Sequence, residues 1–294
     1  MKLYVIGNGF DMWHDLPTSF NDFKNFAKEI LLEVEGFYSL DTADKELWSD
    51  FENDLGYFVW KKFYDYHCNI DFMSESFRPS EFYSLQDELT EQSDHHVEEI
   101  KKAFQEWVEG IDISDVVKKM DFPQDSSFIS FNYTSTLQSV YGISEARVFH
   151  VHGRADNLDD LIFGHGKTIE EEPEQDENGD SNRTMFTDSE NAAKYPFYAL
   201  QKPVNEVLKK NDEFFKSARS VSEIIVMGHS LNDIDLPYFK ELATWASGAH
   251  WLVCCYKISE VDHVTTQLIN CGVQCARIQT MGYGDLVKMS KKGP

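Results

Sequence analysis

Leu3-Tyr4-Val5-Ile6-Gly7-Asn8-Gly9-Phe10-Asp11 decides the fold. Four apolar residues closed by two glycines one residue apart read as a buried strand that ends in a tight turn. Without Cβ atoms, the backbone N–H groups of such a turn can approach a pyrophosphate, and the next helix aims its positive end at the same charge. Met12 stands where a third glycine would complete the Gly-x-Gly-x-x-Gly fingerprint, so a plain tight turn is a competing reading of the segment. A strand of this kind, opening a parallel sheet, predicts a ligand site at the sheet's carboxyl edge.

Further short apolar runs follow at 128–131, 147–151, 161–163, 223–227, 251–256 and 273–278, most of them closed by a polar or glycine-bearing turn. Together with a helical pattern at 261–270 they predict an α/β fold with a doubly wound, mostly parallel sheet of the sirtuin-like Rossmann type. Between the first two strands the pattern is different. Apolar and aromatic residues recur every three or four positions at 20–34, 46–66 and 81–108, which predicts a large helical insertion over 24–121, a lid or partner surface. The whole chain, 1–294, reads as one α/β domain carrying that insertion and an acidic, flexible loop at 167–185. Within the loop, residues 170–180 hold seven carboxylates and no apolar period.

Composition sets limits on partners. With 294 residues, 41% of them hydrophobic and 14% aromatic, the chain can bury a substantial core. No run approaches the roughly 18 to 20 apolar residues of a membrane helix, and the apolar stretch after Lys2 is too short for a signal peptide, so a cytoplasmic protein is expected. The five cysteines, an odd set, suit packing in a reducing compartment better than a disulfide framework. A formal charge of −24 repels phosphate backbones and disfavours direct nucleic-acid binding. A small-molecule nucleotide is still admissible, because a glycine loop and a helix start supply local positive potential.

Chemistry-bearing residues collect at the strand ends: Asn8 and Asp11, then Asn132, then His152, then Ser230 with Asp233 and Asp235. Parallel strands bring such ends to one rim. The blocks Gly7 to Asp11, Leu16-Pro17-Thr18-Ser19-Phe20, Trp48-Ser49-Asp50-Phe51-Glu52, Phe131-Asn132-Tyr133-Thr134, His150-Val151-His152-Gly153, Phe163-Gly164-His165-Gly166 and Gly228-His229-Ser230-Leu231 resemble the AbiH family of bacterial abortive-infection proteins. Their order is also similar, at a distance, to sirtuin-type NAD-binding proteins. That likeness implies that Gly7, Asn8, Gly9, Gly228, His229 and Ser230 line a pocket for NAD, as substrate or ligand, and that Asn132 and His152 act on its nicotinamide ribose; on their own chemistry, Phe10 and Phe131 are candidates to stack on a ring or shield the same pocket from water, and Asp233 to bind adenosine ribose hydroxyls. Thr134 replaces the Asp of the sirtuin pattern and the paired Cys-x-x-Cys zinc module is missing. NAD hydrolysis, rather than deacylation, is the implied reaction.

Each role has a plain structural counterpart. His152 as general base competes with a histidine hydrogen-bonded inside the sheet. Asn132 as ribose or water ligand competes with an ordinary turn or helix cap. Asp11, third of the catalytic candidates, would offset positive charge on the ribose if it faces that end. Asp235 before Leu236-Pro237 reads best as a helix N-cap. Asp11, His14, Asp15, His150, His152, His165 and His229 also admit a metal-dependent phosphohydrolase. A non-catalytic nucleotide or ADP-ribose sensor, signalling to a second copy or a partner protein through the insertion, is a further alternative.

Overall fold

In the computed structural model, residues 1–41, 45–70, 74, 75, 78, 80–171 and 173–290 are described. Parts of the expected insertion at 42–44, 71–73, 76, 77 and 79, and Glu172 of the acidic loop, lie outside the described residues. Among the described residues no helix is long and apolar enough to cross a membrane.

Six strands form one parallel sheet: β1 (Lys2–Ile6), β2 (Ser127–Ser130), β3 (Val148–His150), β4 (Glu223–Met227), β5 (His250–Cys255) and β6 (Ile278–Gly282), in the order β3-β2-β1-β4-β5-β6. The order reverses at β1. Leu3 registers with Ser127 of β2 on one side, and Lys2 with Glu223 of β4 on the other. In a doubly wound sheet this reversal opens a crevice at the carboxyl ends of the two strands.

The sheet is apolar on both faces, as the continuous strand runs require. Leu3 and Val5 join Ile129, Ile224, Val226, Trp251 and Val253 in one core, under the helices Leu236–Trp245 and Val261–Asn270. Tyr4 and Ile6 point the other way and join Phe128, Ile225, Met227 and Leu252 in a second core, closed by Phe10, Leu137, Tyr141 and Leu286. The alternation of successive residues between the faces is the two-residue period of a strand.

Two readings of the strand pattern need correction. The run 161–163 forms no strand: Ile162 donates its N–H to the His152 carbonyl (2.8 Å), and Phe163 stacks on Phe104 with ring centroids 4.2 Å apart. Its apolar side chains serve packing, not a sheet ladder. The last strand begins at Ile278 because Cys275–Arg277 forms a 3-10 turn first.

The chain divides into two compact units. The first, Met1–Ser19 with Val108–Ile162 and Pro203–Pro294, contains the sheet. The second, Phe20–Trp107 with Phe163–Lys202, is helical and takes its residues from two excursions of the chain. Its interior is aromatic: Phe23 packs on Phe51 (4.4 Å) and on Phe104 (5.4 Å). His165 and Lys202 exchange backbone hydrogen bonds with each other's strand-like segment, His165 N–H to Leu200 O and Lys202 N–H to His165 O. The fully buried Lys202 ammonium lies 3.1 Å from Glu52. In the exposed acidic loop, Asp176 accepts N–H groups from Asn178 and Asp180 and closes a local turn.

Candidate functional site

Hydrogen bonding continues past the ends of the central strands. Gly7 N–H donates to Met227 O (2.9 Å), Phe131 N–H to Ile6 O (2.8 Å), and Val151 N–H to Ser130 O (2.9 Å). These bonds carry the turns after β1, β2, β3 and β4 to one rim, so Gly9, Asn132, His152 and Ser230 all emerge at the carboxyl edge of the sheet.

The glycines there serve close approach of two loops. A Cβ on Gly228, whose φ is +70°, would lie 2.1 Å from the Phe10 nitrogen, and one on Gly7 would lie 2.6 Å from the His229 Cα. Gly9 N–H donates to Gly228 O (2.8 Å) and Phe10 N–H to Gly7 O (2.9 Å), so these amides, with that of Gly7, are engaged within the protein. Asn8 is exposed and its amide donates to Thr18 O at 2.5 Å. Phe10 is wholly buried against His14 (4.6 Å) and Tyr141 (5.8 Å), a core residue with no surface for a ligand.

Asp11 faces inward from the helix Asn8–Trp13 and is 1% exposed. Thr134 Oγ1 donates to its Oδ2 at 2.5 Å, and the Thr136 hydroxyl lies 3.1 Å from that of Thr134. Burial pushes the Asp11 pKa up to about 6, against the pull of Thr134, Thr136 and the Asn132 amide. Asp11 Oδ1 and Asn132 Oδ1 are both buried without a hydrogen-bond partner. Asn132 is anchored through its backbone: its N–H donates to Ser130 Oγ (3.2 Å) and its carbonyl accepts His150 Nδ1–H (3.1 Å). Gln138 meets the other His150 nitrogen at 3.0 Å, and burial lowers the His150 pKa, so His150 is a neutral brace for Asn132.

His152, 3% exposed, sits between the rings of Phe131 (5.3 Å) and Tyr238 (5.9 Å). Its Nε2 lies 3.7 Å from Asp235 Oδ1, while Asp235 Oδ2 lies 3.5 Å from His229 Nε2. Asp235 does occupy the N-cap position of Leu236–Trp245, but its side chain makes no cap hydrogen bond. The helix start thus stands where Asp-Leu-Pro puts it, while the carboxylate itself lies near two buried imidazoles, a placement that this local signal does not carry. Phe131 forms the wall of this cluster, 4.4 Å from His229. Ser230 and Asp233 are exposed and turned toward the helix Val261–Asn270, where Ser230 O lies 3.1 Å from His263 and Asp233 accepts from Gln267 (2.8 Å).

Most of the residues weighed as metal ligands are engaged in other contacts. His14 bonds to Phe10 O and Tyr141 OH, Asp15 pairs with Lys119, His150 braces Asn132, and His165 belongs to the helical unit, bonded to Phe197 O. Among the described residues, no three His, Cys, Asp or Glu come together in a way that could hold a metal ion.

The rim therefore offers a carboxylate with a raised pKa, an amide with an unused acceptor oxygen, and a buried histidine beside a second carboxylate, a set suited to binding hydroxyl donors and moving one proton. No curated protein and no solved structure matches the chain. The profile of bacteriophage abortive infection AbiH matches residues 3–255, and the chain belongs to the AbiH family.

Proposed function

We propose that this abortive-infection protein hydrolyses NAD, or an NAD derivative, at the nicotinamide N-glycosidic bond. The observation that supports this reading is the pair of buried, unpartnered acceptor oxygens, Asp11 Oδ1 and Asn132 Oδ1, at the strand ends beside the sheet's switch point. Buried acceptors are costly unless a donor meets them, and ribose hydroxyls are such donors. The sirtuin-like pattern in the sequence suits the same assignment. Where that pattern has an Asp, this chain has Thr134, and its hydroxyl holds Asp11, so a carboxylate still stands next to Asn132.

Breaking the bond sends its electron pair to the pyridinium nitrogen and leaves an oxocarbenium-like ribose. Asp11, largely ionised at pH 7, offsets that positive charge. Asn132 orients the ribose or the attacking water. The water oxygen adds to the anomeric carbon, and His152 takes its proton, giving nicotinamide and ADP-ribose.

Purified protein incubated with NAD, with and without extract of phage-infected cells, is expected to release nicotinamide and ADP-ribose, and a chelator is expected to leave the rate unchanged. Asn132→Ala and His152→Ala should each lose activity. Saturable nucleotide binding without turnover would replace the hydrolase with a sensor. Equal rates for wild type and both variants would remove the residue assignments.

A further inference from the structure

The Asn132 carbonyl is the last member of a chain of hydrogen bonds that starts at an ion pair on the surface. Arg154, 9% exposed, donates from one guanidinium nitrogen to both oxygens of the exposed Glu145 (2.8 and 2.7 Å), and its Nε lies 2.5 Å from Asp156. The bond from Arg154 holds the Glu145 carboxyl below its ordinary pKa, so at neutral pH it is ionised and only accepts. The amide nitrogen of Gln138, on the short helix Thr136–Ser139, donates to Glu145 Oε2 (3.3 Å) and meets His150 Nε2 (3.0 Å). His150 ends β3, and its Nδ1 meets the Asn132 carbonyl at 3.1 Å.

Each of these bonds has one possible direction. The Asn132 carbonyl is an acceptor, so His150 Nδ1 carries a proton. Glu145 is also an acceptor, so Gln138 turns its NH2 toward it, and Gln138 Oε1 is left buried without a hydrogen-bond partner. One hydrogen of that NH2 goes to Glu145. The other points at His150 Nε2, which can receive it only with a lone pair. The imidazole is therefore neutral and protonated on Nδ1, in agreement with the burial that lowers its pKa.

We propose that His150 is a positioning residue for Asn132: Arg154, Glu145 and Gln138 fix its ring in the Nδ1-protonated form, and the ring fixes the peptide that carries the Asn132 side chain. The use of that side chain in glycosidic cleavage rests on the glycohydrolase reading; its placement does not.

Nitrogen NMR of protein labelled in its histidines, with His150→Asn to assign the ring, reads the tautomer. In wild type at pH 7.5 the ring should carry its proton on Nδ1 alone. In protein labelled in its asparagines, the Asn132 side-chain NH2 signals, assigned with Asn132→Ala, should shift in His150→Phe and, to a smaller extent, in Gln138→Leu. They should stay close to wild type in His150→Asn, whose carboxamide can still donate to the Asn132 carbonyl. Nicotinamide release should fall on the order of 10²-fold in His150→Phe, in kcat with little change in KM, and recover in part in His150→Asn. A wild-type His150 protonated on Nε2, or unmoved Asn132 signals in folded His150→Phe, would overturn the proposal. If His150→Phe does not fold, the wild-type tautomer and the Gln138→Leu signals decide. Absence of nicotinamide release by wild type would refute the glycohydrolase reading and leave both NMR results to decide the placement of Asn132.

Discussion

Replacing Asp11 by Asn should make the protein more stable above neutral pH and less active. The Asp11 carboxyl is buried, and its pKa in the fold is about 6 instead of the ordinary 3.8. The folded state thus holds this proton more tightly than the unfolded chain does. Between pH 3.8 and about 6 the folded protein carries the greater number of protons, so stability falls as pH rises through that window and levels off above it. The gap corresponds to about 3 kcal/mol carried in full by the ionised group at pH 7.5. Asn keeps an acceptor for the Thr134 hydroxyl and cannot ionise. Urea unfolding of both proteins at pH 4 and at pH 7.5 measures the effect: the variant's advantage should grow by about 2 to 3 kcal/mol from the lower pH to the higher. Nicotinamide release should fall at the same time, because the charge opposite the ribose is gone. A stability difference that is equal at the two pH values would refute the account of Asp11 as a buried carboxylate held at a cost for function.

Thr134→Val removes the hydroxyl that draws the Asp11 pKa down, so the wild-type loss of stability should shift to higher pH in the same unfolding series; an unshifted profile counts against the contact. Gly228→Ala sets a methyl 2.1 Å from the Phe10 nitrogen at a left-handed φ, and should cost about 3 kcal/mol or more, seen as a lowered Tm or as insoluble protein. In the helical unit, Lys202→Met leaves the partly buried Glu52 without this ammonium and should cost about 3 kcal/mol, whereas Lys202→Met with Glu52→Leu should recover most of it in thermal unfolding.

The sheet was readable in the sequence because its strands are buried on both faces and so appear as unbroken apolar runs. Val5, Ile129 and Val226 follow that rule, as does Leu252. The run 161–163 obeys the same rule and is no strand, because an apolar triplet does not reveal whether it packs in a ladder or, like Phe163, against Phe104 and Phe51. The strand-end positions of Asp11, Asn132 and His152 followed from periodicity. The contacts of Asp235 did not, since His152 lies more than 80 residues away and no local spacing records a meeting across strand ends. The glycine turn was legible as a turn. That its amides bond to Gly228 and to its own loop depends on the neighbouring strand, which a single segment does not announce.

The register of Lys2 with Glu223 has a consequence for synthesis on the ribosome. Translation at about 5 to 20 residues per second separates the two partners by on the order of 10 to 40 s. Through that interval the central strand holds an open edge, and the nascent chain must keep Leu3, Val5 and their neighbours from joining foreign strands until its own fourth strand emerges.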